Sequence, residues 1–188
     1  WEVTWQQAMK RAIRDGAQLC RQLDLPSSLA CQSAGADFPV FAPLEYVRRM
    51  RVGDAQDPLL KQVLAAPQES DADAGGFFDP LDEMVAQRSP GLLQKYDRRV
   101  LMITTGACAV HCRYCFRRHY PYNSVPPGRD GWRTSLAKIA ADSSIDEVIL
   151  SGGDPLTVAD GELGWLVAQI GRLPHVRRIR LHTRVPVV

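Results

Sequence analysis

Between residues 99 and 183 short apolar runs alternate with helical stretches. Residues 100–104, 147–150 and 178–183 read as strands, and 132–142 and 159–173 as helices. Strands this short, separated by helices of about three or four turns, pair in parallel through crossovers, so the alternation restricts this region to an α/β fold. An open sheet and part of a β/α barrel both satisfy the pattern, and in both the functional loops stand at the carboxyl ends of the strands. Three motifs fall at those ends. Cys108, Cys112 and Cys115 follow the first strand, Ser151-Gly152-Gly153-Asp154 follows the second, and His182-Thr183-Arg184 closes the third.

The preceding residues follow a different pattern. Thr4 and Gln7 have the spacing of a capping box, and apolar residues then recur at helical intervals as far as Leu23, which predicts one amphipathic helix of roughly five turns. Shorter helices are expected near Pro43 and after Asp57-Pro58, where aspartate precedes proline at the first helical position. Residues 1–65 are thus expected to be a helical accessory region. Between 66 and 94 the periodicity fails and Pro67, Gly75-Gly76, Pro80 and Pro90-Gly91 punctuate the chain, predicting a long acidic loop or linker before a core over 95–188. The chain begins at Trp1 and ends on the apolar run Val185-Pro186-Val187-Val188, so a fragment of a longer enzyme is expected.

With 45% hydrophobic and 23% charged residues, the chain has the composition of a globular protein. Its net charge of +2 is unevenly distributed. Residues 54–83 carry eight acids against Lys61 alone, whereas 95–129 carry Lys95, Arg98, Arg99, Arg113, Arg117, Arg118 and Arg129 against Asp97. A basic field around the cysteines favours anionic ligands, although a solvated basic face has the same composition. No run approaches the ~20 apolar residues of a membrane span, and no secretory signal is evident. Five cysteines, three of them clustered, argue against a disulfide framework and for a reducing, cytoplasmic setting. Cys20 and Cys31 are expected to be small buried hydrophobes.

Three thiolates from one short loop suit a soft metal centre and leave it one ligand short, which keeps a position open for a substrate or cosubstrate. A structural zinc site would need a fourth ligand, for which His111 and His119 are near in sequence. Under that alternative the chain is a zinc-stabilised module whose basic face and aromatics bind RNA.

The cysteine spacing, three residues and then two, resembles the cluster-binding signature of the radical S-adenosylmethionine superfamily. Further stretches narrow the likeness. Tyr96 to Thr104, Cys112 to His119 and Leu150-Ser151-Gly152-Gly153-Asp154-Pro155-Leu156 resemble the lysine 2,3-aminomutase family. Thr105-Gly106-Ala107-Cys108, Phe116-Arg117-Arg118-His119-Tyr120-Pro121-Tyr122 and Asp57 to Leu64 are most similar to its branch that prepares β-lysine for elongation factor P.

The resemblance implies the amino-terminal part of a radical S-adenosylmethionine partial β/α barrel, with parallel strands, that isomerises L-α-lysine to β-lysine. It implies a 4Fe-4S cluster on Cys108, Cys112 and Cys115, and S-adenosylmethionine against Tyr114, Ser151, Gly152, Gly153 and Asp154, with Asp154 and the glycines receiving its amino group. Pyridoxal 5'-phosphate is implied near Tyr96 and Arg99, and the substrate carboxylate on Arg117. Lys95 stands where relatives often have arginine; for Arg113 and Arg118 a structural role is favoured, and for Arg99 a salt bridge to the acidic loop is the alternative. His182 and Arg184 either reach S-adenosylmethionine or end the strand in solvent. None of Lys10, Lys61, Lys95 and Lys138 lies in a motif resembling the family's pyridoxal-phosphate lysine, so that lysine is expected beyond Val188. The implied partners are L-lysine, elongation factor P and its lysyl-ligase, with no membrane or direct nucleic-acid contact and homo-oligomerisation left open. A free-lysine 2,3-aminomutase of lysine metabolism or osmolyte synthesis is the alternative.

Overall fold

The structure, a computed structural model, describes residues 4–70 and 76–188. Asp71 and Asp73 of the acidic stretch, and Gly75, lie outside the described residues. The chain divides into two units, one containing the residues up to Phe77 with Ala109–Arg118 and Pro186–Val188, the other Phe78–Cys108 and His119–Val185.

The second unit is built on a five-stranded sheet in the order β1-β2-β3-β4-β5. Its strands are β1 (Gln87–Ser89), β2 (Leu92–Tyr96), β3 (Arg99–Thr105), β4 (Glu147–Gly152) and β5 (Arg178–Leu181). The expected parallel part is present: β3 pairs with β4 and β4 with β5 in parallel. Between them run α5 (Gly128–Ala140) and α6 (Asp160–Gly171), each within a few residues of the predicted helix. Side chains alternate across this sheet with the period of two that a strand imposes. Val100, Met102, Val148, Leu150 and Ile179 face the core shared with the helices. Arg99, Leu101, Glu147, Ile149, Arg178 and Arg180 alternate with them and take the other face. Ile139, Leu166 and Ile170 of the helices are fully buried against the first set, each worth about 1.5–3 kcal/mol relative to exposure.

Strands β1 and β2 correct the expectation of a linker across 66–94. They form an antiparallel hairpin, and β2 continues antiparallel onto β3. Pro90-Gly91 makes the first turn, with Gly91 at φ +79°, and Asp97-Arg98 the second, with Arg98 at φ +64°.

The helices of the first unit are short: α1 (Trp5–Lys10), α2 (Gly16–Gln22), α3 (Gln32–Asp37) and α4 (Leu44–Val47). The single five-turn helix predicted from Thr4 to Leu23 is broken. The capping box at Thr4 and Gln7 forms, but Ile13 then exchanges main-chain hydrogen bonds with Ala42, and the Asp15 carboxylate restarts a helix by accepting from Gln18 N at 2.7 Å. Tertiary pairing of Ile13 outweighs the continuous helical periodicity. Pro43 starts α4 as predicted. After Asp57-Pro58 only a 3-10 turn, Leu60–Gln62, forms, with the Asp57 carboxylate accepting from Leu59 and Leu60 N. Ile13, Leu19, Cys20, Leu23, Tyr46 and Leu60 belong to the core of this unit, which Val110 joins. Cys20 is buried as expected, whereas Cys31 is only partly buried and sits 3.2 Å from the Ser33 hydroxyl.

Candidate functional site

The carboxyl ends of β3, β4 and β5 are joined to one another by hydrogen bonds. After β4 the chain bends back on the turn that leaves β3: Gly153 N donates to Thr105 O and Asp154 N to Ala107 O, both at 2.7 Å. This approach explains the glycine pair. A Cβ on Gly153 would lie 2.1 Å from Ala107 O, and one on Gly152, which has φ +120°, 2.5 Å from Thr105 O. Only glycine fits both positions. Ser151 is buried, and its carbonyl accepts from the Thr104 hydroxyl at 2.9 Å.

Asp154 makes the next connection. Its side chain is nearly buried, 3% exposed. Oδ1 accepts from Leu156 N at 3.0 Å and from the Thr183 hydroxyl at 2.7 Å. Oδ2 accepts from Arg184 N at 2.6 Å and Val185 N at 3.2 Å. A carboxylate offers about four lone-pair positions, and here all four meet protein donors. The expectation that Asp154 waits to receive an external amino group therefore meets a carboxylate already engaged. No sequence pattern links Asp154 to Thr183; the parallel pairing of β4 and β5 does.

The cysteine loop passes from one unit to the other. Cys108 belongs to the unit of the sheet, and Cys112 and Cys115 to the helical unit, where Cys115 N donates to Cys112 O at 2.9 Å. All three are partly buried. Burial pushes the Cys115 thiol above its ordinary value, against the nearby Arg117 main-chain hydrogen bond and the charges of Arg117 and Arg118. Among the described residues, no group of three or more His, Cys, Asp or Glu side chains is gathered closely enough to hold a metal ion. The fit of this loop to an iron-sulfur group thus rests on its donor set, three thiols of one short segment.

The other residues of the loop have defined places. The Tyr114 ring is 60% exposed and its hydroxyl donates to Gln62 Oε1 at 3.3 Å. Arg117 is buried, with its guanidinium 4.7 Å from the Phe116 ring centroid. Arg113 and Arg118 have the structural role expected of them: Glu69 of the acidic stretch accepts from Arg113 at 2.6 Å and from Arg118 at 2.8 Å. Arg113 also donates to Phe38 O and Ala34 O. Burial opposes ionisation of Glu69, but the hydrogen bonds from Arg113, Ala66 N and Arg118 outweigh it and hold its carboxyl below the ordinary value. His111 stacks on Phe38 with centroids 4.7 Å apart, and its Nδ1 lies 2.9 Å from Pro39 O; burial lowers its pKa. His119 meets the Phe78 ring edge-on.

Tyr96 and Arg99 lie at the opposite end of β3 from Thr105, about 20 Å along the strand at the usual rise per residue. Arg99 pairs not with the acidic loop but with Glu147, which the strand register sets beside it. Arg178 and Arg180 of β5 meet the same carboxylate at 2.9 and 3.2 Å. Glu147 is thus a buried anion shared by three arginines on one face of the sheet. Burial disfavours its charge, but the arginines hold its pKa below the ordinary value. Lys95 donates to Leu81 O.

No protein-family model matches the chain. Among curated proteins, a protein of Haemophilus influenzae named L-lysine 2,3-aminomutase is 43% identical over 189 residues, covering 100% of this chain and 56% of that protein. The protein of the same name from Escherichia coli is 42% identical, covering 98% of this chain and 54% of its own length. That from Buchnera aphidicola is 36% identical, covering 98% and 55%. The chain spans about half the length of the curated relatives it matches.

Proposed function

From its likeness to the proteins named L-lysine 2,3-aminomutase, we propose that this chain belongs to that family and carries the radical-generating part of an enzyme that isomerises L-α-lysine to β-lysine. The observation that carries the reading is the joining of two motifs: the Gly152-Gly153-Asp154 turn is hydrogen-bonded to the turn that opens the cysteine loop. Either motif alone occurs in unrelated proteins. Their placement at adjacent parallel strand ends puts them where α/β folds bind ligands.

Cys108, Cys112 and Cys115 would hold a 4Fe-4S cluster, the turn 151–154 and the exposed Tyr114 ring would line the place of S-adenosylmethionine, and Arg117 would take the lysine carboxylate. When bound, the cluster and S-adenosylmethionine supply a carbon-centred radical for hydrogen abstraction, and pyridoxal phosphate supplies electron delocalisation to the substrate amine. Arg117 suits its role because a planar guanidinium can offer a carboxylate two parallel donors, and its burial limits competition from water. Arg99 stands in an arginine-rich group that suits a phosphate, but Glu147 already neutralises part of that charge.

The test is anaerobic reconstitution of the full-length enzyme with iron, sulfide, S-adenosylmethionine, pyridoxal phosphate, a reductant and L-lysine. β-Lysine is the expected product, and its absence from a cluster-loaded sample would overturn the reading. Within the family we assign the chain to the elongation factor P branch, on the likeness of residues 57–64, 105–108 and 116–122. Deleting the gene should then remove β-lysyl groups from hydrolysed elongation factor P. If that content is unchanged while free β-lysine disappears, the enzyme serves free-lysine metabolism instead.

A further inference from the structure

We propose that Asp154 is a positioning residue, a clamp whose carboxylate fastens the segment after β5 to the turn after β4 and so sets the place of His182 and Arg184 at the ligand end of the sheet. The inference deepens the proposed function and rests on it for the identity of the ligand; the clamp itself rests on geometry. Four protein donors converge on one nearly buried carboxylate. Two come from residues beyond β5 by main-chain N–H, Arg184 and Val185, and a third is the Thr183 hydroxyl. The fourth, Leu156 N, ties the same carboxylate to the chain that follows β4. Thr183 reinforces the arrangement, since its hydroxyl donates to Asp154 and accepts from Val185 N at 3.1 Å.

The consequence concerns how the site is shaped. With both oxygens engaged, an incoming ammonium group reaches Asp154 only by displacing a donor that is already in place. The carboxylate instead holds rigid the backbone on which His182 and Arg184 stand. The turn after β4 is itself hydrogen-bonded to Thr105 and Ala107, so Asp154 extends one continuous network across three strand ends. A side chain projecting from the third end is thereby fixed relative to the first, where Cys108 begins.

Amide exchange and ligand binding in the full-length protein test the clamp. Asp154→Asn keeps the shape and leaves one oxygen to accept from Leu156 and Thr183, but it turns an NH2 towards Arg184 N and Val185 N, donor against donor. Without any cofactor, exchange at Arg184 and Val185 should accelerate by at least about tenfold, while the β4 amides of Val148–Leu150 remain as protected as in the wild type. Unchanged protection at Arg184 and Val185 would overturn the clamp. Thr183→Val is the second variant, removing the hydroxyl that links the two segments. In the cluster-loaded enzyme, both variants should weaken S-adenosylmethionine binding, by about tenfold each. Weakening confined to Asp154→Asn, with Thr183→Val like the wild type, would make Asp154 a direct ligand and overturn the proposal. If the loaded wild type binds no S-adenosylmethionine at all, the proposed function fails, and the exchange at Arg184 and Val185 alone decides the clamp.

Discussion

Glu69 shows how much a single side chain of the acidic stretch contributes. Its carboxylate holds two arginines of the cysteine loop, one of them, Arg113, almost wholly buried. Removing the charge by Glu69→Gln leaves the Arg113 guanidinium its main-chain acceptors Phe38 O and Ala34 O but no counter-charge, and a loss of about 2–3 kcal/mol is expected in denaturant unfolding. This is below the full cost of breaking a buried pair because Glu69 keeps some solvent contact. The pH dependence has a definite sign. The folded pKa of Glu69 lies below its ordinary value of 4.5, so the contribution is complete above that value and is lost as pH falls through the folded pKa. Stability curves of the wild type and Glu69→Gln should converge on acidification; parallel curves would show that the pair adds nothing.

At the scale of elements, two glycines of the sheet unit stand in contrast. Gly153 is held against Ala107 O, and Gly153→Ala should destabilise the fold by about 3 kcal/mol or open the turn, read as a lower unfolding midpoint. Gly164 lies inside α6 with open space around its Cβ position. Gly164→Ala should therefore stabilise by up to about 1 kcal/mol, the helix-propensity difference. Opposite signs for one substitution type separate a packed turn from an exposed helix face. The hairpin of β1 and β2 has a corresponding signal in the sequence. Pro90-Gly91 is turn chemistry, but β2 buries the adjacent Leu92 and Leu93 alike, so the alternation that marks a half-exposed strand is missing.

On the scale of the whole chain, the cysteine loop is where the proposed function is most directly tested. In the reconstituted full-length enzyme, Cys112→Ala should lower bound iron and the brown absorbance by more than about tenfold while leaving the far-ultraviolet circular dichroism unchanged. Retained iron would remove Cys112 from the ligand set. Among the described residues no helix is long and apolar enough to cross a membrane.

The sequence by itself determined the α/β class, the positions of β3, β4, β5 and both intervening helices, and the placement of three motifs at strand ends. Those features depend on local periodicity and turn chemistry, which neighbouring residues carry. It also singled out Gly152 and Gly153, although the tertiary structure replaced the reason: they are glycines because two main chains meet there. Only the tertiary structure decided that Ile13 breaks the first helix, that Arg99 faces Glu147 rather than the acidic loop, and that the Asp154 carboxylate is engaged by Thr183, Arg184 and Val185. Each of these is a pairing between residues distant in sequence, created by strand register or by a main-chain bridge. Local propensity carries no information about a partner that only the fold brings near.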